Sequence, residues 1–216
     1  MRIGILGGTF DPVHNGHLDV AHAASRALHL DEVWLVPCRV PSHRSMPHAS
    51  AAHRFAMTAL AASSFPNVLV SDLEMTSEAP AYTVDTLDRL ASRGIDMTQI
   101  FLITGADAFA DIRTWRAFPA VLDRCHFAVV SRPDRPVGAL PSHLPELAPH
   151  MVTMPAALPG RPAILLIDAP TAAVSSTDVR RLAAAHESIT GLVPPPVQDY
   201  ISKHHLYSVD AVKGLA

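Results

Sequence analysis

RIGILGGTFDPVHNGHL, residues 2–18, joins a short apolar run to two adjacent glycines and then to two histidines three apart. The run at 2–6 reads as a strand. Leu18, Ala21, Ala24 and Leu28 then recur at the spacing that buries one face of a helix over 15–29. Strand, glycine turn and helix in that order open a βαβ unit, and the rhythm continues outward. Apolar runs at 32–37, 67–72, 100–105, 126–131 and 163–168 read as further strands, apolar almost throughout, as in sheets covered on both faces. Helical stretches fall at 49–63, 83–93, 107–122, 176–186 and 194–203. The alternation predicts an α/β fold: one Rossmann-like, doubly wound parallel sheet with helices on both faces, binding its ligand beyond the carboxyl ends of the strands. Residues 132–162 break the rhythm with eight prolines and no clear strand. They read as a long surface loop inside the domain, because the run after them still has the character of a central strand.

The bulk numbers fit that picture. A chain of 216 residues suits a single domain, 1–216, with one sizeable core. With 49% hydrophobic and 17% charged residues it is globular rather than disordered. A formal charge of −3 gives no reason to expect a nucleic-acid or membrane-surface partner. Cys38 and Cys125 stand far apart, in no metal-ligand spacing, so a disulfide framework is not expected and a reducing, cytoplasmic setting is. The opening residues lack the apolar core and cleavage site of a signal peptide, and no apolar run is long enough to span a bilayer.

The turn after the first strand has the makings of a phosphate site. Gly7 and Gly8 allow backbone conformations that other residues resist and let a ligand come close. The free N–H groups and positive dipole end of the next helix favour an anion. His14 and His17 share one side of its first turn, where imidazoles can donate to phosphate oxygens. The string is neither the dinucleotide fingerprint nor a Walker loop. A second helix start, VSSTDVR at 174–180, places Ser175, Ser176 and Thr177 before an apolar-periodic run. Taken locally that is N-cap chemistry, and hydroxyls at a helix start also bind phosphate. Arg180 lies one turn on, with a charge suited to a leaving polyphosphate. His204 and His205, being adjacent, point apart on a helix end and read as a dipole-compatible pair rather than a metal site.

Taken whole, GGTFDPVHNGH resembles the signature of the H-x-G-H nucleotidyltransferases, a superfamily shared with class I aminoacyl-tRNA synthetases. More closely, the chain resembles the bacterial nicotinate-nucleotide adenylyltransferases. VPSHR (40–44), APAYT (79–83), TGADAFADIRTW (104–115), SRPDRP (131–136), VSSTDVR (174–180) and LVPPPVQDYISKHHLY (192–207) match further motifs in that family's order. Beyond its first residues the proline-rich region matches poorly.

The resemblance implies transfer of AMP from ATP to nicotinate mononucleotide, with loss of pyrophosphate, in NAD biosynthesis. It implies a catalytic set of His14, His17 and Arg180. ATP would be met by Gly7, Gly8, Thr9, Phe10, His14, His17, Gly105, Asp107, Ser175, Ser176, Thr177 and Arg180. Nicotinate mononucleotide would be met by His43, Arg44, Tyr82, Thr83, Trp115 and Arg132. Mg²⁺ would arrive with ATP, held by substrate and water, with no dedicated protein ligands. Several relatives form dimers, so a homodimer is admitted, although no stretch marks an interface. On local grounds Thr83 and Asp107 serve equally as helix caps, Trp115 as core filler on the helix at 107–122, and His43, Arg44 and Arg132 as solvated loop. Other readings are an enzyme preferring nicotinamide mononucleotide, a phosphopantetheine adenylyltransferase, and an ATP-binding sensor without turnover.

Overall fold

A computed structural model of the chain describes residues 1–42, 46–153 and 160–208. Seven strands form one parallel sheet: β1 (Ile3–Gly8), β2 (Glu32–Pro37), β3 (Val68–Val70), β4 (Ile100–Gly105), β5 (His126–Val130), β6 (Met151–Thr153) and β7 (Ile164–Ile167). Their order across the sheet is β3-β2-β1-β4-β5-β7-β6. The order reverses between β1 and β4, whose carboxyl ends are Gly8 and Gly105. Open α/β sheets leave a crevice at such a switch point, because the connections from the two strands depart in opposite directions.

Period-2 alternation sends the strands' apolar residues to two cores. Leu6, Val33, Leu35, Phe101, Ile103, Ala128, Val130, Leu165 and Ile167 face one side. Helices α1 (Asn15–Leu28), α2 (Ala51–Ala62), α6 (Ser176–Ala184) and α7 (Pro195–Lys203) cover that side. Ile3, Ile5, Val36, Ile100, Leu102, Phe127, Val129, Ile164 and Leu166 face the other. There α3 (Thr83–Ser92), α4 (Ala106–Ala110) and α5 (Leu140–His143) close over them. Both faces being covered explains why the strands are apolar almost throughout.

Two expectations are corrected. The stretch 107–122 is not one helix: α4 ends at Ala110, and 3-10 turns follow at Ile112–Thr114 and Ala120–Asp123. Pro119 cannot donate to a helix ladder, and Ala117 takes a left-handed φ of 64°. Trp115 therefore stands in an irregular connection, not on a helical face. The proline-rich 132–162 is likewise more than a loop. It contains 3-10 turns at Val137–Ala139 and Ala148–His150, α5 between them, and β6, an edge strand paired with β7. Proline suits such short elements, sitting at the first turn of α5 where no N–H is required. Val137, Leu140, Leu144 and Leu147 are buried, so this segment forms part of the second core.

Candidate active site

β1 delivers the chain to the switch point. Gly7 is exposed although the four residues before it are buried, and open space surrounds the place where its side chain would stand. Neither Gly7 nor Gly8 takes a left-handed conformation. Phe10 does, at φ 49°, with its ring buried under Gly8, where an added Cβ would lie 2.9 Å from it. The glycines give room rather than curvature.

His14 is the N-cap of α1, and its backbone N–H donates to His17 Nδ1 at 3.2 Å. The two rings stack at 3.7 Å between centroids. His17 also meets the Phe10 ring edge-on at 5.0 Å. Gly16 between them has no space for a side chain: a Cβ would stand 2.9 Å from Arg132 Nη1, 3.1 Å from Ala172 O and 3.2 Å from His14 Cε1. That close approach is the physical reason for glycine inside H-x-G-H. His14 is only 4% exposed, and its Nδ1 has no hydrogen-bond partner among the described residues. Burial, with Arg132 nearby, pulls its pKa down from the ordinary 6.5 to about 3. The imidazole is therefore neutral, with one ring nitrogen unsatisfied.

Arg132 follows β5 and reaches across to Gly16 O at 3.1 Å and Val174 O at 3.2 Å. Its stem also packs on Gly105, where an added Cβ would lie 3.2 Å from its Cγ and would collide with the Asp107 carboxylate folded over it. Arg132, expected to meet the mononucleotide, thus stands beside His14, Gly105 and Asp107, which are expected to meet ATP.

The start of α6 docks on the same turn. Ser175 caps the helix, accepting from Asp178 N at 3.1 Å. Ser176 Oγ donates to Pro12 O at 2.9 Å, and Arg180 Nη1 donates to Asp11 O at 2.6 Å. Arg180 Nη2 meets Thr177 Oγ1 at 3.2 Å. The capping role and the approach to the H-x-G-H turn coexist in this motif, so neither local reading excludes the other.

Tyr82 and Thr83 occupy the N-cap and first position of α3. The Arg116 guanidinium lies 4.8 Å from the Tyr82 ring centroid. Arg116 also pairs with Asp85 at 3.2 Å. Ala81 N donates to Val40 O at 2.9 Å, which brings the loop after β2 alongside this helix start. Trp115 is half-buried in the second core, its ring 6.4 Å from that of Phe127. His43 and Arg44 lie outside the described residues.

Sequence reasoning missed the residues that hold these parts in place. Asp11, 5% exposed, accepts from His48 N at 2.7 Å, Ala49 N at 3.1 Å and the Tyr207 hydroxyl at 2.8 Å. Arg54, 1% exposed, does the converse, donating to Thr9 O, Cys38 O, Arg39 O and Ala49 O at 2.6–3.2 Å. Glu74, buried, accepts from Thr86 Oγ1 under the first turn of α3, and burial raises its carboxyl above the usual range. A lone acid before a proline, or an arginine inside an apolar helix face, was the only signal available.

Comparison with known proteins identifies the family and the fold. Residues 5–182 match the cytidylyltransferase-like family model. A relative from Pseudomonas aeruginosa, named "Probable nicotinate-nucleotide adenylyltransferase", is 40% identical over 95% of this chain and 97% of its own. The chain belongs to the nicotinate-nucleotide adenylyltransferase family. A Symbiobacterium thermophilum member of the same name is 39% identical, with 95% of each chain covered. In the solved Plasmodium falciparum nicotinic acid mononucleotide adenylyltransferase, complexed with NaAD, the same fold recurs. There the TM-score is 0.74 at 22% identity, over 95% of this chain and 97% of that one. The matched residues 5–182 span both the 107–122 segment and the proline-rich region.

Proposed function

We propose that the chain transfers AMP from ATP to nicotinate mononucleotide, giving nicotinate adenine dinucleotide and pyrophosphate. The observation that carries this reading is His14. A buried, neutral imidazole with an unpartnered nitrogen caps a 14-residue helix, beside Arg132, at the switch point of the sheet. An orphaned buried nitrogen costs free energy unless something binds it, and a helix start with a guanidinium beside it favours an anion. Family membership supplies the substrates.

In the reaction a phosphate oxygen of the mononucleotide attacks the α-phosphorus of ATP. A new P–O bond forms, the bond from the α-phosphorus to the bridging oxygen breaks, and pyrophosphate leaves with that electron pair. The nucleophile is already anionic, so no general base is needed; alignment and charge stabilisation are. His14, His17 and the α1 N–H groups would bind the transferring phosphate, and Arg180 with the α6 hydroxyls the departing pyrophosphate. Gly7 leaves space for the nucleotide above β1, Gly8, with the Phe10 ring packed against it, would meet the nucleotide through its backbone, and Asp107 would face the ribose. Trp115, Tyr82, Thr83, His43, Arg44 and Arg132 would receive the acceptor, with the backbone at Tyr82–Thr83 turned to the nicotinate carboxylate.

Among the described residues no three His, Cys, Asp or Glu side chains gather to hold a metal ion. A Mg²⁺ ion would arrive as part of the substrate, carried by phosphates and water, where it would offset their charge. We take residues 1–216 as one catalytic domain acting in the cytoplasm. Two buried, unpaired cysteines support that setting, and no described helix is long and apolar enough to cross a membrane.

The test is pyrophosphate release from MgATP with nicotinate mononucleotide, nicotinamide mononucleotide and phosphopantetheine offered separately. Strong preference for the acid is expected. Equal or greater turnover of the amide would overturn the acceptor assignment, and ATP binding without release would overturn catalysis.

A further inference from the structure

The turn Phe10–Pro12 carries His14 into place, and it is anchored from several sides. Arg180 and Ser176 of α6 hold its carbonyls. The segment before α7 holds the residue after His14: Asn15 N donates to Leu192 O at 2.9 Å, and Asn15 Nδ2 to Gly191 O at 2.8 Å. The Asp11 carboxylate collects three donors, of which two are backbone N–H groups of the loop leading into α2. The third is the hydroxyl of Tyr207, 196 residues away at the far end of the described chain.

Tyr207 is built for that contact. Its ring packs against the first core, and its backbone takes φ 67°, a left-handed conformation that a bulky residue rarely adopts. Such an outlier persists only where surrounding contacts over-determine it. Burial, with the Asp11 carboxylate beside it, raises the phenol far above its ordinary range, so the group remains a donor. Arg180 and Arg54 are the cations facing it; Arg180 Nη1 stands 4.0 Å from Asp11 Oδ2.

We propose that Tyr207 is a positioning residue for adenylyl transfer: its hydroxyl fixes Asp11, and through Asp11 the turn that sets His14 opposite Arg180. It touches neither substrate. Asp11 presents its carbonyl to Arg180 and its carboxylate to Tyr207, so a side chain released from the tyrosine lets that carbonyl shift. The phosphate-binding groups of β1–α1 and α6 then lose their common reference. The proposal rests on the adenylyl-transfer reading above.

The experiment compares wild type, Tyr207→Phe and a variant with 4-aminophenylalanine at 207, which keeps a donor on the ring. Losing one hydrogen bond to a charged acceptor should lower kcat about tenfold in Tyr207→Phe while the KM values for ATP and the mononucleotide stay within about twofold. The amino variant should recover most of the lost kcat. A mere packing role would lower the melting temperature and leave kcat alone. Wild-type kcat in Tyr207→Phe, or an amino variant as slow as it, overturns the proposal. Pyrophosphate absent from the wild-type reaction refutes the adenylyl-transfer reading instead, so the two failures are told apart.

Discussion

His14 and His17 share one helical turn but not one environment. His14 is 4% exposed and stripped of partners at Nδ1, while His17 is half-buried, with Nδ1 accepting from the backbone above it. That hydrogen bond fixes the His17 ring and leaves Nε2 as its protonated nitrogen. A positioned donor of this kind acts on charge that develops during transfer, so its loss should fall on kcat rather than on binding. His17→Ala is expected to lower kcat by about 10²–10³-fold with ATP affinity changed only a few-fold. Steady-state kinetics with a direct ATP titration would show it, and near-wild-type turnover would remove His17 from the chemistry. The spacing makes the helix starts at these two residues and at Arg180 legible, while the roles expected of them come from the family resemblance. Asp11 and Tyr207 are not legible in that way. Both lie inside motif stretches, but their contact joins positions 196 residues apart, which no local pattern shows.

Among the elements, the strands and longer helices followed from periodicity, because burial on both faces of the sheet leaves a strong apolar signal. The segment 107–122 misled because apolar residues recur through it at nearly helical spacing, while Pro119 and the left-handed Ala117 divide it. β6 was hidden because three residues between prolines carry no period. Arg54 shows a different limit. It lies on the apolar face of α2, yet its guanidinium reaches carbonyls of residues 9, 38, 39 and 49, tying together the loops after β1 and β2 and the entry to its own helix. Arg54→Met keeps much of the volume and removes every donor. With four carbonyls left short of partners, a loss of about 3 kcal/mol or more is expected, a fall in Tm of roughly 6–12 °C for a chain of this size. Calorimetry decides the matter: a shift within a degree or two would mean that water or a neighbour replaces the guanidinium.

For the molecule as a whole, the neutral state of His14 couples the site to stability. Unfolded, this histidine takes a proton as pH falls through 6.5; folded, burial and Arg132 keep it neutral down to about 3. Between those values the unfolded chain binds the extra proton, so unfolding free energy falls with falling pH and is flat above 6.5 from this cause. One such group contributes a slope of up to about 1.4 kcal/mol per pH unit. His126, buried at the opposite end of the sheet with its own Nδ1 unpartnered, has a lowered pKa for the same chief reason and adds with the same sign. Glu74 acts the other way: its raised carboxyl takes a proton in the folded state before it does in the unfolded chain. The His14 contribution is isolated by comparing wild type with His14→Gln in denaturant titrations from pH 7 to 5. The wild-type curve should fall more steeply below 6.5 than that of the variant. Parallel curves would mean that His14 takes up its proton in the folded protein. Bound ATP should narrow the difference, because phosphate anions beside His14 offset Arg132 and favour the imidazolium. The burial that keeps His14 neutral would then make the empty enzyme the more acid-sensitive form.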